Sequence, residues 1–293
     1  MLDSSAALRS DSVSIDALQR WVGRTQPADD VAAPGPLARL AALLDHETPP
    51  WTPGRLPPLA HWLYFLPRER QSDLEPDGHA KRGEFLPPVP LPRRMWGGSR
   101  VRFVTPVPVG AEMRRRSTVA AIAAKHGRSG PMVLVTVEHS ITVGEALAIT
   151  EEQDIVFLSA GPLGAAVDGS PCRRMARPSD ATRSHTVDPV GLFRFSALTF
   201  NAHRIHYDRD YARQTEGYAG LVVHGPLIAT LLMDHFLRRR RDAAVSSFSF
   251  RAERPLFDSA PFDLCLAEND SGAQLWAADA TGAIAMSARV ECR

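Results

Sequence analysis

Apolar and polar residues alternate along two long stretches of the chain, a pattern typical of β-strands with one buried face. The first stretch, 101–157, contains three extended segments with turns at Gly110 and near 127–131, followed by a further strand. The second, 244–292, contains AVSSFSFRAERPLF, PFDLCLAEND, AQLWAADA and AIAMSARVEC. Turns at 269–272 and 281–282 separate its last three segments. Each stretch therefore predicts an antiparallel meander.

Helical spacing of apolar residues occurs in fewer places. Ser14 has the character of an N-cap and predicts a short helix ending near Gly23. The segment 36–44 predicts a second helix, because leucines recur on one face at 37, 40, 43 and 44. By its position it would be the central helix of the first sheet. The apolar, β-prone run 192–200 predicts a strand or an extended segment.

Prolines and glycines divide the chain. The sequence contains 24 prolines, clustered between 34 and 108, and they predict loops rather than long helices or central strands over 51–100. A second aperiodic segment rich in glycine and proline, 159–180, predicts a linker. The expected organisation is a first half over 1–158, the linker over 159–180 and a second half over 181–293.

The composition is that of a globular protein, with 44% hydrophobic and 23% charged residues. Because 34 basic residues nearly balance 33 acidic ones, giving a net charge of +1, we expect no nucleic-acid partner and no anionic membrane surface. The three cysteines form no CxxC motif, and no apolar run is long enough to span a membrane. The N-terminus lacks a secretory signal, so a cytoplasmic location is the expectation.

The residues richest in chemistry lie together in 195–236. Asn201, His203 and His206 come directly before a segment, 206–214, with helical character and acidic residues in its first turns. A second helix, 226–238, begins at Pro226, where the missing N–H costs nothing. The backbone N–H groups near Gly225 are therefore free to bind developing negative charge. Histidines at one helix start beside free amides at another indicate an enzyme.

This segment, TFNAHRIHYD, resembles the motif of the MaoC-type (R)-hydratases and dehydratases. Asn201, His206 and Gly225 fall at the positions of that family's Asp, His and oxyanion-binding Gly, with His203 in place of its Asn. The stretches PPLAHWLYFLP, DGHAKRGEFLPPVPLPRRMWGGSR and RPLFDSAPF resemble one branch of the family. That branch contains mitochondrial 3-hydroxyacyl-thioester dehydratases and mesaconyl-C4-CoA and itaconyl-CoA hydratases.

The resemblance implies an α+β double hotdog, two hotdog repeats in one chain, each a curved antiparallel sheet around a central helix. It implies a hydro-lyase that reversibly hydrates an enoyl-CoA thioester, with a short C5 dicarboxylyl-CoA such as itaconyl-CoA or mesaconyl-C4-CoA as the first candidate. Water is the co-substrate and no cofactor is expected. The alternatives are a 3-hydroxyacyl-thioester dehydratase of fatty-acid synthesis, a hotdog thioesterase and a non-catalytic acyl-thioester-binding protein. A homodimer of double hotdogs is expected.

The predicted catalytic residues are His206, Asn201 and Gly225. Neutral His206 would transfer protons, whereas Asn201 can hold water but cannot exchange a proton. The proton transfer that Asn201 cannot perform would fall on His206 alone, or be shared with His203, Asp208 or a residue of the first half. A metal shared by His203 and His206 is disfavoured, because no third ligand has convincing spacing.

Other residues are candidates for binding substrate. The predicted set is His203, His224, Tyr207, Arg93, Arg94 and Trp96, with His61 and Trp62 as further candidates for the pocket wall. Packing of the loop against the sheet is the alternative for the residues of 51–100. Arg114, Arg115 and Arg116 could bind a CoA phosphate or form a solvated sheet edge.

Overall fold

The computed structural model describes residues 15–127, 130–159, 178–241 and 243–293, and they form one ten-stranded antiparallel sheet with helices packed on it. The helices are α1 (Ile15–Gln19), α2 (Pro34–Leu43), α3 (Pro189–Thr199), α4 (Arg209–Gln214) and α5 (Gly225–Arg239). The strands are β1 (Thr25–Val31), β2 (Arg93–Phe103), β3 (Glu112–Gly127), β4 (Gly130–Val143), β5 (Ala146–Leu158), β6 (Ala181–His185), β7 (Val245–Ala252), β8 (Phe262–Asn269), β9 (Gly272–Asp279) and β10 (Ile284–Cys292).

The order of the strands shows an internal repeat. Across the sheet the order is β1-β3-β4-β5-β2-β7-β10-β9-β8-β6. When β1 to β5 are matched in chain order to β6 to β10, the first five strands, β1-β3-β4-β5-β2, correspond to β6-β8-β9-β10-β7. The other half of the sheet has this order in reverse, so the two halves meet at the β2–β7 pair. That pair is antiparallel and runs from Gly98 opposite Arg251 to Arg102 opposite Ser247. The predicted fold of two hotdog repeats in one chain is confirmed.

The second repeat surrounds a long central helix. Helix α5 packs against β8, β9 and β10, and ten of its residues are buried: Leu227, Ile228, Ala229, Leu231, Leu232, Met233, Asp234, His235, Phe236 and Leu237. A helix that is apolar on most faces must be enclosed. Asp234 is tolerated in this core because His46, Arg183 and Arg238 all bind its carboxylate.

The first repeat differs in its helix. The predicted leucine-rich helix exists as α2, with Leu37, Leu40 and Ala41 buried. It follows β1 as α3 follows β6, and α2 and α3 pack on each other. Helix α2 is therefore the counterpart of α3 rather than of α5. Between α2 and β2 the described chain contains only loops and two short 3-10 turns, Ala60–Leu63 and Gln71–Asp73.

Three element predictions were wrong in detail. The run 192–200 is helical, because Asp188 caps α3 by accepting a hydrogen bond from the N–H of Gly191, and Pro189 starts the helix. The helix predicted from 206 begins at Arg209, with Asp208 as its N-cap. The irregular stretch 51–100 ends earlier than expected, since central strand β2 begins at Arg93, directly after the last proline of the loop.

Some predictions lie outside the described residues. Most of the linker, 160–177, is one of them, and so is Cys172. Cys265 and Cys292 are free thiols. In the described ranges, no helix is both long and apolar enough to cross a membrane.

Candidate active site

His206 is held in one orientation by the backbone. It ends the short 3-10 turn Arg204–His206 and is buried. Its Nδ1 lies 2.7 Å from the carbonyl oxygen of Val222. Because a carbonyl oxygen only accepts hydrogen bonds, Nδ1 carries the proton and donates it. The remaining ring nitrogen, Nε2, is therefore the one with a lone pair to accept a proton.

The surroundings of His206 keep its imidazole neutral. Burial lowers the pKa of His206 to about 4, the hydrogen bond to Val222 opposes this shift, and nearby His79 adds to it. The sequence predicted a neutral ring from its place at a helix start. The structure gives a different main cause, which is loss of solvent around a charged ring. At neutral pH His206 is in the form that a general base requires.

His224 joins His206 to the start of helix α5. The two rings stack with centroids 3.6 Å apart and an interplanar angle of 20°. His224 is fully buried and its Nε2 lies 2.8 Å from the hydroxyl oxygen of Ser196 on α3. Burial lowers the pKa of His224 well below its ordinary value, and the neighbouring His206 contributes. His224 is also the N-cap residue of α5 and directly precedes Gly225.

Gly225 presents the first N–H of a central helix. In the part of the chain that the structure describes, this N–H has no hydrogen-bond partner. Pro226 lies in the first turn of α5, as predicted from the sequence. A Cβ at Gly225 would meet only the carbonyl oxygen of Trp96, at 3.9 Å. The position is therefore open to a ligand and has the partial positive charge of a helix N-terminus, which suits a developing oxyanion.

Asn201 orders the turn that carries the other histidines. It follows α3, whose C-cap residue Phe200 has a left-handed backbone with φ of 50°. The side-chain oxygen of Asn201 accepts a hydrogen bond from the N–H of His203 at 3.0 Å. The His203 ring lies 5.5 Å from that of His206, edge to face. Burial, followed by the effect of His79, lowers the pKa of His203.

Two residues of the first half, Asp77 and His79, lie beside His203 and were not predicted. The His79 ring lies 4.1 Å from the His203 ring, and its Nδ1 is 2.9 Å from a carboxylate oxygen of Asp77. Although burial opposes ionisation, hydrogen bonds and charge from His79 hold the pKa of Asp77 well below its usual range. The sequence offered one signal, the DGH at the start of the family-like stretch 77–100.

The contact of Asp77 and His79 with His203 also creates a candidate metal-binding group. Within the described residues, one group could hold a metal ion, namely Asp77, His79 and His203, whose ligand atoms lie within 4.8 Å of one another. The third ligand that the sequence lacked for His203 is therefore present in space. His206 is not in this group.

The predicted substrate-binding residues fall into two sets. Arg94 lies near Asp77 and is shielded from solvent, which lowers its pKa to about 10, so it remains charged at neutral pH. The carbonyl of Trp96 faces Gly225. Arg93 instead binds Glu216, donating to its carbonyl oxygen at 2.6 Å. Tyr207 is 49% exposed and its hydroxyl donates to the carbonyl of Ala202.

The further wall candidates serve a buried ionic network. Glu151 accepts hydrogen bonds from His61, Trp62 and the hydroxyl of Ser99. The Trp62 ring in turn contacts the Trp96 ring at 5.0 Å. Trp62 therefore packs against Trp96, the residue whose carbonyl faces Gly225. In the arginine run, Arg114 is mostly exposed and pairs with Asp29, and Arg115 packs on Phe65.

Sequence comparison places this site in a family. Residues 59–258 match the family model of hydroxyacyl-thioester dehydratase type 2. The chain belongs to this family. The matched range of the dehydratase family includes both the Asp77–His79 loop and the Asn201–Gly225 segment, and the resemblance to MaoC-type enzymes is confirmed.

Individual relatives of this chain agree with that membership, and a solved structure agrees with the fold. The chain is 49% identical over 273 residues to mesaconyl-C(4)-CoA hydratase of Chloroflexus aurantiacus, covering 92% of this chain and 96% of that protein. It is 25% identical to the mitochondrial hydroxyacyl-thioester dehydratase type 2 of Schizosaccharomyces pombe, covering 75% and 80%. A solved Mycobacterium tuberculosis protein with a double hotdog fold superposes with a TM-score of 0.60 at 15% identity, covering 92% and 96%.

Proposed function

We propose that this member of the dehydratase family is a hydro-lyase that reversibly hydrates an enoyl-CoA thioester. Its first candidate substrate is mesaconyl-C4-CoA, with itaconyl-CoA as the second. The observation that carries the proposal is the pairing of a neutral, oriented His206 with the open N–H of Gly225. The relative at 49% identity supports the same reaction and favours mesaconyl-C4-CoA of the two.

The site supplies what hydration requires. His206 Nε2 takes a proton from water as the water oxygen bonds to the β-carbon. The π electrons of the double bond move to the thioester oxygen, where the N–H of Gly225 stabilises the enolate. The α-carbon then accepts a proton and the thioester carbonyl re-forms. Asn201, whose side-chain oxygen is engaged with the His203 N–H, has its amide nitrogen left to hold the water.

Arg94 supports a substrate with a free carboxylate. In the described ranges it forms no hydrogen bond or ion pair, whereas Arg93 on the neighbouring position pairs with Glu216. A shielded guanidinium without a direct carboxylate partner is suited to bind one from a ligand. Crotonyl-CoA has no such carboxylate, and mesaconyl-C4-CoA has one. Arg94 would therefore contribute to binding of mesaconyl-C4-CoA and not to binding of crotonyl-CoA.

The test measures hydration of crotonyl-CoA and mesaconyl-C4-CoA by the absorbance of the enoyl thioester, and of itaconyl-CoA, whose double bond is not conjugated with its thioester, by formation of the hydroxyacyl-CoA product. We expect turnover by the wild type and a loss of about 100-fold or more in His206→Ala. Arg94→Gln should raise KM for the dicarboxylyl substrates and leave KM for crotonyl-CoA unchanged. Arg93→Gln is the control at the neighbouring position and should leave KM unchanged for all three substrates. Wild-type protein inactive on all three substrates would refute the proposal.

A 3-hydroxyacyl-thioester dehydratase of longer chains is the second candidate. The Schizosaccharomyces pombe relative supports it at only 25% identity, and it would use the same residues. Rates that rise with acyl length, measured from C4 to C12 substrates, would favour it. Binding of acyl-CoA without turnover would instead indicate a non-catalytic protein.

We further propose a cytoplasmic homodimer. Large apolar side chains are exposed on and after α3, with Val190, Phe193 and Phe200 each more than 60% exposed, and such a patch often marks an interface. A second copy of the chain is the proposed occupant. Light scattering of the wild type beside Phe193→Ser would test it, since a monomeric wild type excludes the dimer.

A further inference from the structure

A loop of the first half is fitted closely onto the catalytic turn of the second half. The N–H of Arg204 donates to the carbonyl oxygen of Asp77 at 2.9 Å, and its guanidinium donates to the carbonyl of Pro76. Gly78 has φ of +92°, and a Cβ there would lie 1.9 Å from the carbonyl oxygen of Ala202. Only glycine allows this approach. The contact places Asp77 and His79 beside His203.

His79 has a partner that the other histidines of the site lack. The Nδ1 of His206 donates to a carbonyl, and the Nε2 of His224 contacts a serine hydroxyl. Among the residues that the structure describes, His79 is the one histidine of the site that hydrogen-bonds a carboxylate, that of Asp77. A carboxylate that accepts from Nδ1 fixes the ring, leaves Nε2 to exchange a proton, and stabilises the imidazolium.

The charges around His79 act in both directions. Burial, together with the charges of Arg94 and Arg82, lowers the pKa of His79, and the hydrogen bond and charge of Asp77 oppose that shift. His203, the other titratable ring in contact, is held neutral by its own burial. In the described site, His79 is the histidine whose ring has a carboxylate partner, which fixes the ring and stabilises its imidazolium form.

We propose that His79, oriented by Asp77, is the second proton-transfer residue of the site and supplies the proton that Asn201 cannot. The inference rests on the proposed hydratase function, and it assigns distinct roles to two histidines. His206, hydrogen-bonded to a carbonyl, removes a proton from water. His79, hydrogen-bonded to a carboxylate, donates a proton to the α-carbon.

The step balances in atoms and electrons. Water loses a proton to Nε2 of His206 and its oxygen forms the bond to the β-carbon. The π pair passes to the thioester oxygen as an enolate. As the enolate collapses, its electron pair forms the bond from the α-carbon to the proton leaving Nε2 of His79. His206 then releases its proton to solvent, and His79 takes one up before the next turnover.

The experiment compares wild type, His79→Gln, Asp77→Asn and His206→Ala on crotonyl-CoA and mesaconyl-C4-CoA between pH 5.5 and 9.5. We expect His79→Gln to lower kcat by about 100-fold with KM within about threefold, because a general acid acts in the transition state. Asp77→Asn should lower kcat by about 10-fold or more. It should also move the alkaline limb of the pH profile to lower pH, because the imidazolium loses its carboxylate.

A matched control is present in the same chain. His46 forms a buried pair with Asp234 at 2.6 Å, away from the histidine cluster, so His46→Gln should leave kcat and the pH profile unchanged. Melting temperatures of all variants separate loss of fold from loss of chemistry, and Asp77→Glu should recover part of the rate.

The outcomes separate the two proposals. Wild-type kcat and pH profile in both His79→Gln and Asp77→Asn, with His206→Ala inactive, would overturn the role of His79 and leave the hydratase intact. An inactive wild type would overturn both. Loss of wild-type activity after dialysis against EDTA, restored by Zn²⁺, would assign Asp77, His79 and His203 to a metal and overturn the proton-donor role.

Discussion

The imidazole rings of His206 and His224 stack with centroids 3.6 Å apart, and both are buried. Protonation of either ring would place a charge in a desolvated environment against its neighbour. Ser196 fixes one ring and the carbonyl of Val222 fixes the other. The stack therefore holds His206 against the start of α5, which fixes the position of its Nε2 relative to the N–H of Gly225.

This stack predicts loss of stability in mild acid. The folded-state pKa of His206 is about 4, below the ordinary value near ~6.5. A group with a depressed pKa contributes stability above its unfolded pKa and loses it as the pH falls through its folded pKa. The free energy of unfolding should fall by on the order of 2–3 kcal/mol from this residue between about pH 6.5 and 4.

Urea midpoints at half-unit pH intervals for wild type and His206→Gln would measure this effect. The variant should show a shallower decline over that window. The carboxylates of Asp77 and Glu151 also have lowered pKa values, and their contributions are lost mainly at lower pH. Buried His203 and His224 lose stability in the same window, so the difference between the two proteins is what measures the contribution of His206. Parallel curves for the two proteins would contradict the prediction.

Glu151 should be a strong determinant of stability. Burial opposes its ionisation, but the charge and hydrogen bond of His61 lower its pKa to about 2. Glu151→Gln removes the charge and leaves His61 and Ser99 with a poorer acceptor. We expect a loss of about 3 kcal/mol in the free energy of unfolding, because one partner of a buried pair is removed.

Its neighbour on the strand is the control. Glu152 points to the opposite face of β5 and pairs with Arg100 at the surface, where its side chain is 53% exposed. Glu152→Gln should cost less than about 1 kcal/mol. Equal losses from the two substitutions in urea titrations would argue against the buried network.

Gly78→Ala should impair catalysis more than stability. The added methyl would collide with the carbonyl of Ala202 and push the loop carrying His79 off the catalytic turn. Gly83→Ala is the matched control, because it shares a positive φ of +103° but its Cβ would meet only Pro88, at 3.8 Å. We expect both to lower the melting temperature, Gly78→Ala more because its methyl meets a backbone atom, and Gly78→Ala alone to lower kcat, by about 10-fold or more.

The sequence predicted β3 to β5 and β7 to β10 because alternation is a property of adjacent residues, whereas β1 and β6 lie outside the alternating stretches and were not predicted. It named His206, Asn201 and Gly225 as candidate catalytic residues through their spacing in one motif. The prediction missed that α3 is helical, because the β-prone composition of 192–200 concealed the local helix-start signal of Asp188 and Pro189. It also could not place His79 against His203, because that contact joins two halves through an irregular loop whose path depends on tertiary packing.

Gly225→Ala would separate the backbone role of this position from its open space. The position has no positive φ, and an added Cβ meets nothing closer than 3.9 Å, so the fold should tolerate the change. Alanine keeps the N–H, but its methyl occupies the space through which the thioester oxygen would approach. We expect an unchanged melting temperature and a fall in kcat/KM of about 10-fold or more.

The control is Gly35→Ala in the first turn of α2, which lies outside the site and whose Cβ would meet only the side chain of Arg39, at 3.5 Å. It should retain wild-type kinetics on crotonyl-CoA. Full activity in Gly225→Ala would mean that the thioester oxygen does not approach α5 at this residue. The oxyanion role would then pass from Gly225 to another donor, whereas the role of His206 would stand.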